Sequence, residues 1–397
     1  MAHYTSFRSP TGDIIDRGIA LYFAAPHSFT GEDVIELHIH GSMAVIKEYF
    51  DALSAMDGLR PAEPGEFSRR AFINGKMDLM EAEGLADLID AETPAQKKQA
   101  MRQMQGELSE YYDHLRGRVI QCLALLEAYI DFPDEEIPEA VLSELSGEIN
   151  TLQSIIGEAL ADRQRGERLR NGVNIVILGA PNVGKSSLLN ALARRDAAIV
   201  SSRAGTTRDM IEVHMELAGY PAILVDTAGL RETSDDIEEE GVRRAMARAE
   251  SADIKLVLFD GGEWPKRDPA SAALVDEHAL VVVNKCDLFN PVGCEAAAQD
   301  MYISTKTGQG IDALLTEIEQ RIITYFSSHS APFITRHRHR MLLKEGTNYL
   351  ERSLKNAPLE LKCEELRQAA NAIGKITGKI QVDDVLDIIF RQFCIGK

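Results

Sequence analysis

Positive charge is in short supply: Lys and Arg number 43 against 62 Asp and Glu, a formal charge of -19 over 397 residues. That excludes a uniformly basic nucleic-acid binder and leaves room only for local basic patches. Cysteine is scarce as well. Cys122, Cys286, Cys294, Cys363 and Cys394 make five, an odd number without CxxC spacing, so neither a disulfide framework nor a zinc site is indicated and free thiols are expected. Aromatic residues are 6% of the chain with a single Trp, which favours helices packed through Ala, Leu and Ile. No run approaches the roughly 18 consecutive apolar residues of a membrane span. Met1 to Phe29 also lacks the basic segment followed by an apolar one that a secretory leader requires. The expectation is a cytoplasmic protein without a membrane partner. What is present is ordinary globular composition, 45% hydrophobic and 26% charged, with length for about two or three domains.

Gly18 to Phe23 and Val34 to Ile39 are short apolar segments separated by Gly, Pro and Ser, which read as strands of a small α+β unit over residues 1–75. From Met77 to Asp131 apolar residues recur at helical spacing. The Pro133 to Pro138 stretch interrupts, and a second helical run continues through Arg168, giving a helical segment over 76–171. At Asn174 the period changes. Ile175 to Leu178, Ala222 to Val225, Lys255 to Phe259 and Leu280 to Val283 are short apolar runs spaced by helical patterns, as in a doubly wound, mostly parallel sheet over 172–327. Residues 328–397 are helical in pattern again, with breaks at Pro358 and near Gly374 and Gly378. The expected fold is multidomain, α+β and α/β, with the α/β domain inserted into a discontinuous helical domain.

Gly179-Ala180-Pro181-Asn182-Val183-Gly184-Lys185-Ser186 follows the strand ending at Leu178 and opens a helix, fitting GxxxxGK[ST] in its required strand–loop–helix setting. Glycines let backbone N–H groups turn inward around phosphate oxygens, and the helix N-terminus adds its positive end. Lys185 is expected on the β and γ phosphates and Ser186 on Mg²⁺. The base is chosen by Asn284-Lys285-Cys286-Asp287 after the strand Leu280 to Val283. A carboxylate at Asp287 accepts two hydrogen bonds from N1–H and the exocyclic amine of guanine, a donor pair that adenine lacks. GTP is therefore expected over ATP. Asn284 and Lys285 would brace the pocket, and Ser304-Thr305-Lys306 follows the short strand Met301 to Ile303, where a backbone N–H can meet guanine O6.

Asp226-Thr227-Ala228-Gly229 ends another strand, so Asp226 can hold the Mg²⁺ shell through water and the Gly229 N–H can sense γ-phosphate. Gly205-Thr206-Thr207-Arg208-Asp209 lies in the long loop after the first helix, where Thr207 can close on Mg²⁺ while γ-phosphate is present. The residue after Gly229 is Leu230, which cannot orient water as the glutamine of Ras-like GTPases does. Asp235-Asp236-Ile237-Glu238-Glu239-Glu240 offers carboxylates for that task, or forms an acidic helix start favoured by the macrodipole. Arg208 and Arg231 read as surface residues or as internal fingers. A cation beside Asn182 would substitute for the missing arginine charge.

Several segments go beyond what a generic GTPase requires: Ser28-Phe29-Thr30-Gly31-Glu32-Asp33, Pro64-Gly65-Glu66-Phe67-Ser68-Arg69-Arg70-Ala71-Phe72, and the terminal Phe393-Cys394-Ile395-Gly396-Lys397. With a GTPase domain inserted in a helical one, the chain resembles the MnmE or TrmE family of tRNA-modification GTPases, from about residue 2 to Lys397. The resemblance implies a homodimer that, in a heterotetramer with the FAD-carrying flavoprotein MnmG, adds a carboxymethylaminomethyl or aminomethyl group to C5 of the wobble uridine of certain tRNAs. The one-carbon donor would be a tetrahydrofolate derivative, in its 5-formyl or 5,10-methylene form. Glu36, Lys76 and Lys397 would contact the folate, and Cys394 would be a functional thiol. K⁺ would be held by Asn182, Ser201, Arg203 and Thr206, Mg²⁺ by Ser186 and Thr207, and Glu238 would position water. The full GTP set adds Val183, Gly184, Lys185, Ser187, Ser202, Ala204, Gly205, Asp226, Thr227, Ala228, Gly229, Asn284, Lys285, Asp287, Ser304, Thr305 and Lys306 to these. Family members also carry a further N-terminal segment, so the chain is expected to begin inside the N-terminal folate-binding and dimerisation domain.

Plainer readings stand beside these. His38 and His40 alternate along a strand-like segment, but no Cys or carboxylate stands at metal-ligand spacing, and core or surface histidines are expected. Arg336-His337-Arg338-His339-Arg340 either touches tRNA phosphates or is a solvated helix start. Cys394-Ile395-Gly396-Lys397 fits CaaX only formally, since Lys is not a usual last residue for prenylation. Cys286 reads as a small packed residue, and Cys394 itself either as a nucleophile or as an apolar anchor for the tail. A regulatory GTPase switch in ribosome assembly or signalling is the alternative function; the tail and the Pro64 to Phe72 segment have no place in one.

Overall fold

The computed structural model describes residues 2–131, 138–162, 164–194, 212–226, 252–288, 300–327 and 334–380. The chain divides into two compact units, one of Met1–Ile89, Ala100–Ser154 and Leu342–Lys397, the other of Asp90–Gln99 and Ile155–Met341.

The first unit opens with an antiparallel three-stranded sheet, β1 (Ala2–Arg8), β2 (Ile14–Phe23) and β3 (Val34–His38), in that order. One face is covered by α1 (Met43–Ser54), where Tyr49 meets Phe7 edge-on at 5.4 Å between ring centroids. Ser42 starts that helix by accepting the Val45 N–H at 3.2 Å. The segment 28–33 and the short helix α2 (Glu66–Ile73) are tied together. Asn74 donates to the Thr30 carbonyl at 2.8 Å, and Arg70 lies 3.2 Å from Glu32. Helix α3 (Leu79–Ile89) follows; α4 (Pro94–Met104) begins in the segment assigned to the second unit and ends in the first, which continues with the long α5 (Glu107–Asp131). Asp78 and Glu81 cap α3 reciprocally, each carboxylate accepting the other's backbone N–H at 2.8 and 2.7 Å.

The second unit is built on a six-stranded sheet of order β5-β6-β4-β7-β8-β9. Its strands are β4 (Val173–Gly179), β5 (Glu212–Leu217), β6 (Tyr220–Asp226), β7 (Ile254–Asp260), β8 (Ala279–Asn284) and β9 (Met301–Tyr302). All pairs are parallel except β5 with β6. Side chains of β4 alternate between two cores, as a covered parallel strand requires. Ile175 and Ile177 join Leu224, Leu256 and Leu258 on one face. Val176 and Leu178 join Val225, Val257 and Phe259 on the other. The first face is closed by α8 (Lys185–Ala193), through Leu188, Leu189 and Leu192, and by a later helix, through Ile311, Leu314, Ile318 and Ile322.

The remaining helices are α6 (Glu139–Leu160), α7 (Arg165–Asn171), the one-turn α9 (Pro269–Ala272), α10 (Ile311–Ser327), α11 (His337–Ser353) and α12 (Leu359–Thr377). In the first unit α12 packs along α5, with Arg367 to Glu127 and Lys379 to Asp113 each at 2.7 Å. The break expected near Gly374 does not occur: α12 runs through it to Thr377, and a Cβ there would come within 2.9 Å of Arg116 Nε. The helix stops instead at Gly378, whose φ of 78° is left-handed.

Candidate nucleotide site

The phosphate loop joins the C-terminal end of β4 to the first turn of α8. Its backbone is held in unusual conformations, with Gly179 at φ 143°, Asn182 at 64° and Gly184 at 102°. Lys185 bends back over the loop and donates to the carbonyls of Gly179 and Ala180 at 2.8 and 2.9 Å. Ser186 donates its hydroxyl to Asp226 Oδ2 at 2.6 Å. Register explains the meeting, because Asp226 ends β6 directly opposite Ile177 of β4. Two hard oxygen donors therefore stand together at the mouth of the loop, a set suited to Mg²⁺. Val183 is buried, while Asn182 and Ser187 are exposed.

The base loop follows β8. Asn284, 1% exposed, is the brace between the two loops: its Nδ2 donates to the Val183 carbonyl at 2.8 Å and its Oδ1 accepts the Thr305 N–H at 3.1 Å. A Cβ on Gly184 would stand 2.2 Å from Asn284 Nδ2. Only glycine lets this amide reach the phosphate loop. Lys285 has φ 64°, and its ammonium lies 2.6 Å from Asp260 Oδ2. Burial works to raise the Asp260 carboxyl, but the Lys285 ammonium and the Gly262 N–H outweigh it and hold the group below its ordinary range. Asp287 is exposed, with Oδ1 accepting the hydroxyl of the fully buried Ser304 at 2.6 Å. One carboxylate edge is thus steadied from behind. Cys286 is buried between these residues and donates its backbone N–H to Ile303. Burial, and then the Asp287 charge, push its thiol above the ordinary range. Among the described residues the Lys306 N–H has no hydrogen-bond partner, whereas Ser304 N–H is used by Gln309 and Thr305 N–H by Asn284.

The structure therefore gathers Asn182, Val183, Gly184, Lys185, Ser186, Asp226, Asn284, Lys285, Asp287, Ser304 and Thr305 around the C-terminal ends of β4, β6 and β8, where ligands of open α/β sheets bind. Asp260 was not singled out from sequence. Its signal was a lone carboxylate ending the apolar run Leu256 to Phe259. Ser201, Ser202, Arg203, Ala204, Gly205, Thr206, Thr207, Thr227, Ala228, Gly229, Glu238, Cys394 and Lys397 lie outside the described residues.

In the first unit Glu36 is exposed on β3 beside His38, 3.5 Å away, and Lys76 donates to the Pro26 carbonyl at 3.0 Å. Each makes its own contact. β3 stops at His38, so His40 lies beyond the strand, where its Nδ1 is 2.9 Å from Asp16. In the second unit the basic run begins α11: His339 and Arg340 are buried, and Arg340 donates to the Leu160 carbonyl at 2.8 Å and lies 3.3 Å from Glu167. Two of the five residues of that run are thus absorbed by packing. Among the described residues no helix is long and apolar enough to cross a membrane.

A family model for the MnmE helical domain matches residues 79–394, and one for the GTP-binding protein TrmE N-terminus matches residues 1–76. The chain is similar to the tRNA modification GTPase MnmE of Rhodospirillum rubrum, 53% identical over 388 residues that span 97% of this chain and 85% of that protein. It is similar also to the MnmE of Paramagnetospirillum magneticum, 49% identical over 399 residues, 100% of this chain and 90% of that one. Among solved structures, the FeoB G-domain from Methanococcus jannaschii is 22% identical with a TM-score of 0.28, covering 38% of this chain and 97% of that one.

Proposed function

The chain belongs to the MnmE (TrmE) family of GTP-hydrolysing tRNA-modification enzymes, and from that premise we propose that its GTPase cycle drives addition of an aminomethyl-type group to C5 of the wobble uridine of certain tRNAs. The observation that carries the GTP part is the Asn284 brace, which ties the phosphate loop to a base loop ending in a carboxylate. Asp287 then accepts from the guanine N1–H and amine, the Lys306 N–H meets O6, and the loop amides with Lys185 take the phosphates.

Ser186 and Asp226 would hold Mg²⁺, which when bound neutralises phosphate charge. Asn182 is the described member of the K⁺ set with Ser201, Arg203 and Thr206, and a cation there supplies the charge that an arginine finger supplies elsewhere. Thr207 senses the γ-phosphate and Glu238 positions water, with Leu230 unable to do so. These assignments rest on the family resemblance and on the motif order.

For the tRNA step the chain works as a homodimer with a flavoprotein of the MnmG type, and a tetrahydrofolate derivative supplies the carbon. The folate would be met by Glu36, Lys76 and Lys397: a carboxylate suits the paired N–H donors of an aminopyrimidine ring, and ammonium groups suit its carboxylates. Cys394 would sit near the reacting carbon. Support for a covering partner on the first unit comes from Tyr4 and Ile19, paired across β1 and β2 yet 76% and 42% exposed. Family models spanning residues 1–76 and 79–394 favour this reading over a bare regulatory switch.

Mass analysis of tRNA from cells lacking the chain tests it. The modified wobble uridine should disappear and return with the wild-type chain. Unchanged modification in its absence would overturn the assignment.

A further inference from the structure

We propose that Asp260 is a positioning residue for nucleotide binding, acting by anchoring the Lys285 ammonium so that the lysine stem lies along one side of the base pocket. The inference rests on the reading of residues 284–287 as the base loop.

Lys285 is one of four non-glycine residues among those described with positive φ, 64°, a conformation that a side chain adopts at a cost and keeps only when its surroundings impose it. The strand before it ends at Asn284, in register with Asp260 on the neighbouring strand β7. Asp260 is itself fixed. Its Oδ1 accepts the Gly262 N–H at 2.9 Å, and the next residue, Gly261, donates to the Asn284 carbonyl at 2.7 Å. Its Oδ2 is left for Lys285 Nζ at 2.6 Å. A lysine normally samples many rotamers about a four-carbon stem, and tethering its charged end converts the stem into a fixed apolar strip. The side chains of the pair are 27% and 33% exposed, so solvent screens the bond in part and reduces what it adds to stability. A function in placing Lys285 explains why a buried strand ends in a carboxylate here.

The test measures Kd for GTP and for ITP, whose base lacks the exocyclic amine, with wild type, Asp260→Asn, Asp260→Glu, Lys285→Met and the Asp260→Asn/Lys285→Met pair. A residue acting on the face of the base is blind to that amine. Asp260→Asn should weaken GTP and ITP by the same factor, about three- to tenfold, and lose most of its effect in the Lys285→Met background. Asp260→Glu, which keeps the charge, should recover part of the loss. Should Asp260→Asn not fold, Lys285→Met alone, which keeps the stem and discards the ammonium, must show the same equal loss. Unchanged affinity in Asp260→Asn, or a loss that persists undiminished beside Lys285→Met, overturns the proposal. A parallel arm with Asp287→Asn separates the underlying reading: if that variant fails to gain affinity for xanthosine triphosphate, the base loop itself is misassigned and the proposal falls with it.

Discussion

Gly184→Ala is the substitution whose consequence follows most directly from the geometry. The new Cβ would stand 2.2 Å from Asn284 Nδ2, at a residue whose φ is 102°. Left-handed backbone costs a side chain about 1–2 kcal/mol. Relief of the clash requires Asn284 to leave its place, breaking the bonds to the Val183 carbonyl and the Thr305 N–H, each about 0.5–1.5 kcal/mol. The sum is about 2–5 kcal/mol. The part borne alike by free and bound protein lowers unfolding stability. The part that the free chain escapes by releasing Asn284 appears as weaker GTP binding, tenfold for each ~1.4 kcal/mol. Thermal unfolding and a GTP titration on the same preparation measure the two parts. Repeating both with Asn284→Ala, which removes the amide that clashes, should give effects well below additive. A Gly184→Ala chain within about 0.5 kcal/mol of wild type in both assays, or strict additivity with Asn284→Ala, would refute the reasoning.

Glu238→Ala should slow GTP turnover with little loss of GTP affinity, since a water-positioning contact matters in the transition state; a large affinity loss would reassign Glu238 to binding or folding. Turnover in potassium should exceed turnover in sodium, and equal rates would remove the cation beside Asn182 from the account. Cys394→Ser should lower tRNA modification far more than GTP turnover, read on one preparation; normal modification would leave that thiol as packing. Burial pushes the Cys122 thiol from an ordinary 9.0 up to about 11, helped by the Glu148 charge, so iodoacetamide at pH 8 should leave Cys122 unlabelled in folded protein and label it after denaturation. Because the folded state holds that proton more tightly, its contribution to stability is full below pH 9 and falls as pH rises toward 11. Rapid labelling of the native chain at Cys122 would contradict its burial.

The parallel strands were legible because a strand covered on both faces must be apolar throughout, and Ile175 to Leu178 and Leu280 to Val283 are. β1 was not, since Ala2 to Thr5 are all exposed and show no alternation of burial. β5 escapes a search for wholly apolar runs, although Val213, Met215 and Leu217 alternate as an edge strand should. At the nucleotide site, local order is enough to propose a phosphate loop and a base loop. The bond between them was not readable: Asn284 and Val183 are 101 positions apart and meet through sheet topology alone. The pairing of Asp260 with Lys285 belongs to the same class, a contact between neighbouring strand ends that no local pattern announces.

Nucleotide recognition and tRNA chemistry are joined most directly in a reconstituted modification reaction containing tRNA, the flavoprotein partner, a tetrahydrofolate donor and either the wild-type chain or Asp287→Asn. Xanthine presents a carbonyl where guanine has its amine, so the amide of the variant can donate where the carboxylate accepted. Wild type should modify the wobble uridine with GTP, and Asp287→Asn with xanthosine triphosphate in its place. Modification by the variant at full rate with GTP, or by either chain with no nucleotide, would contradict the account.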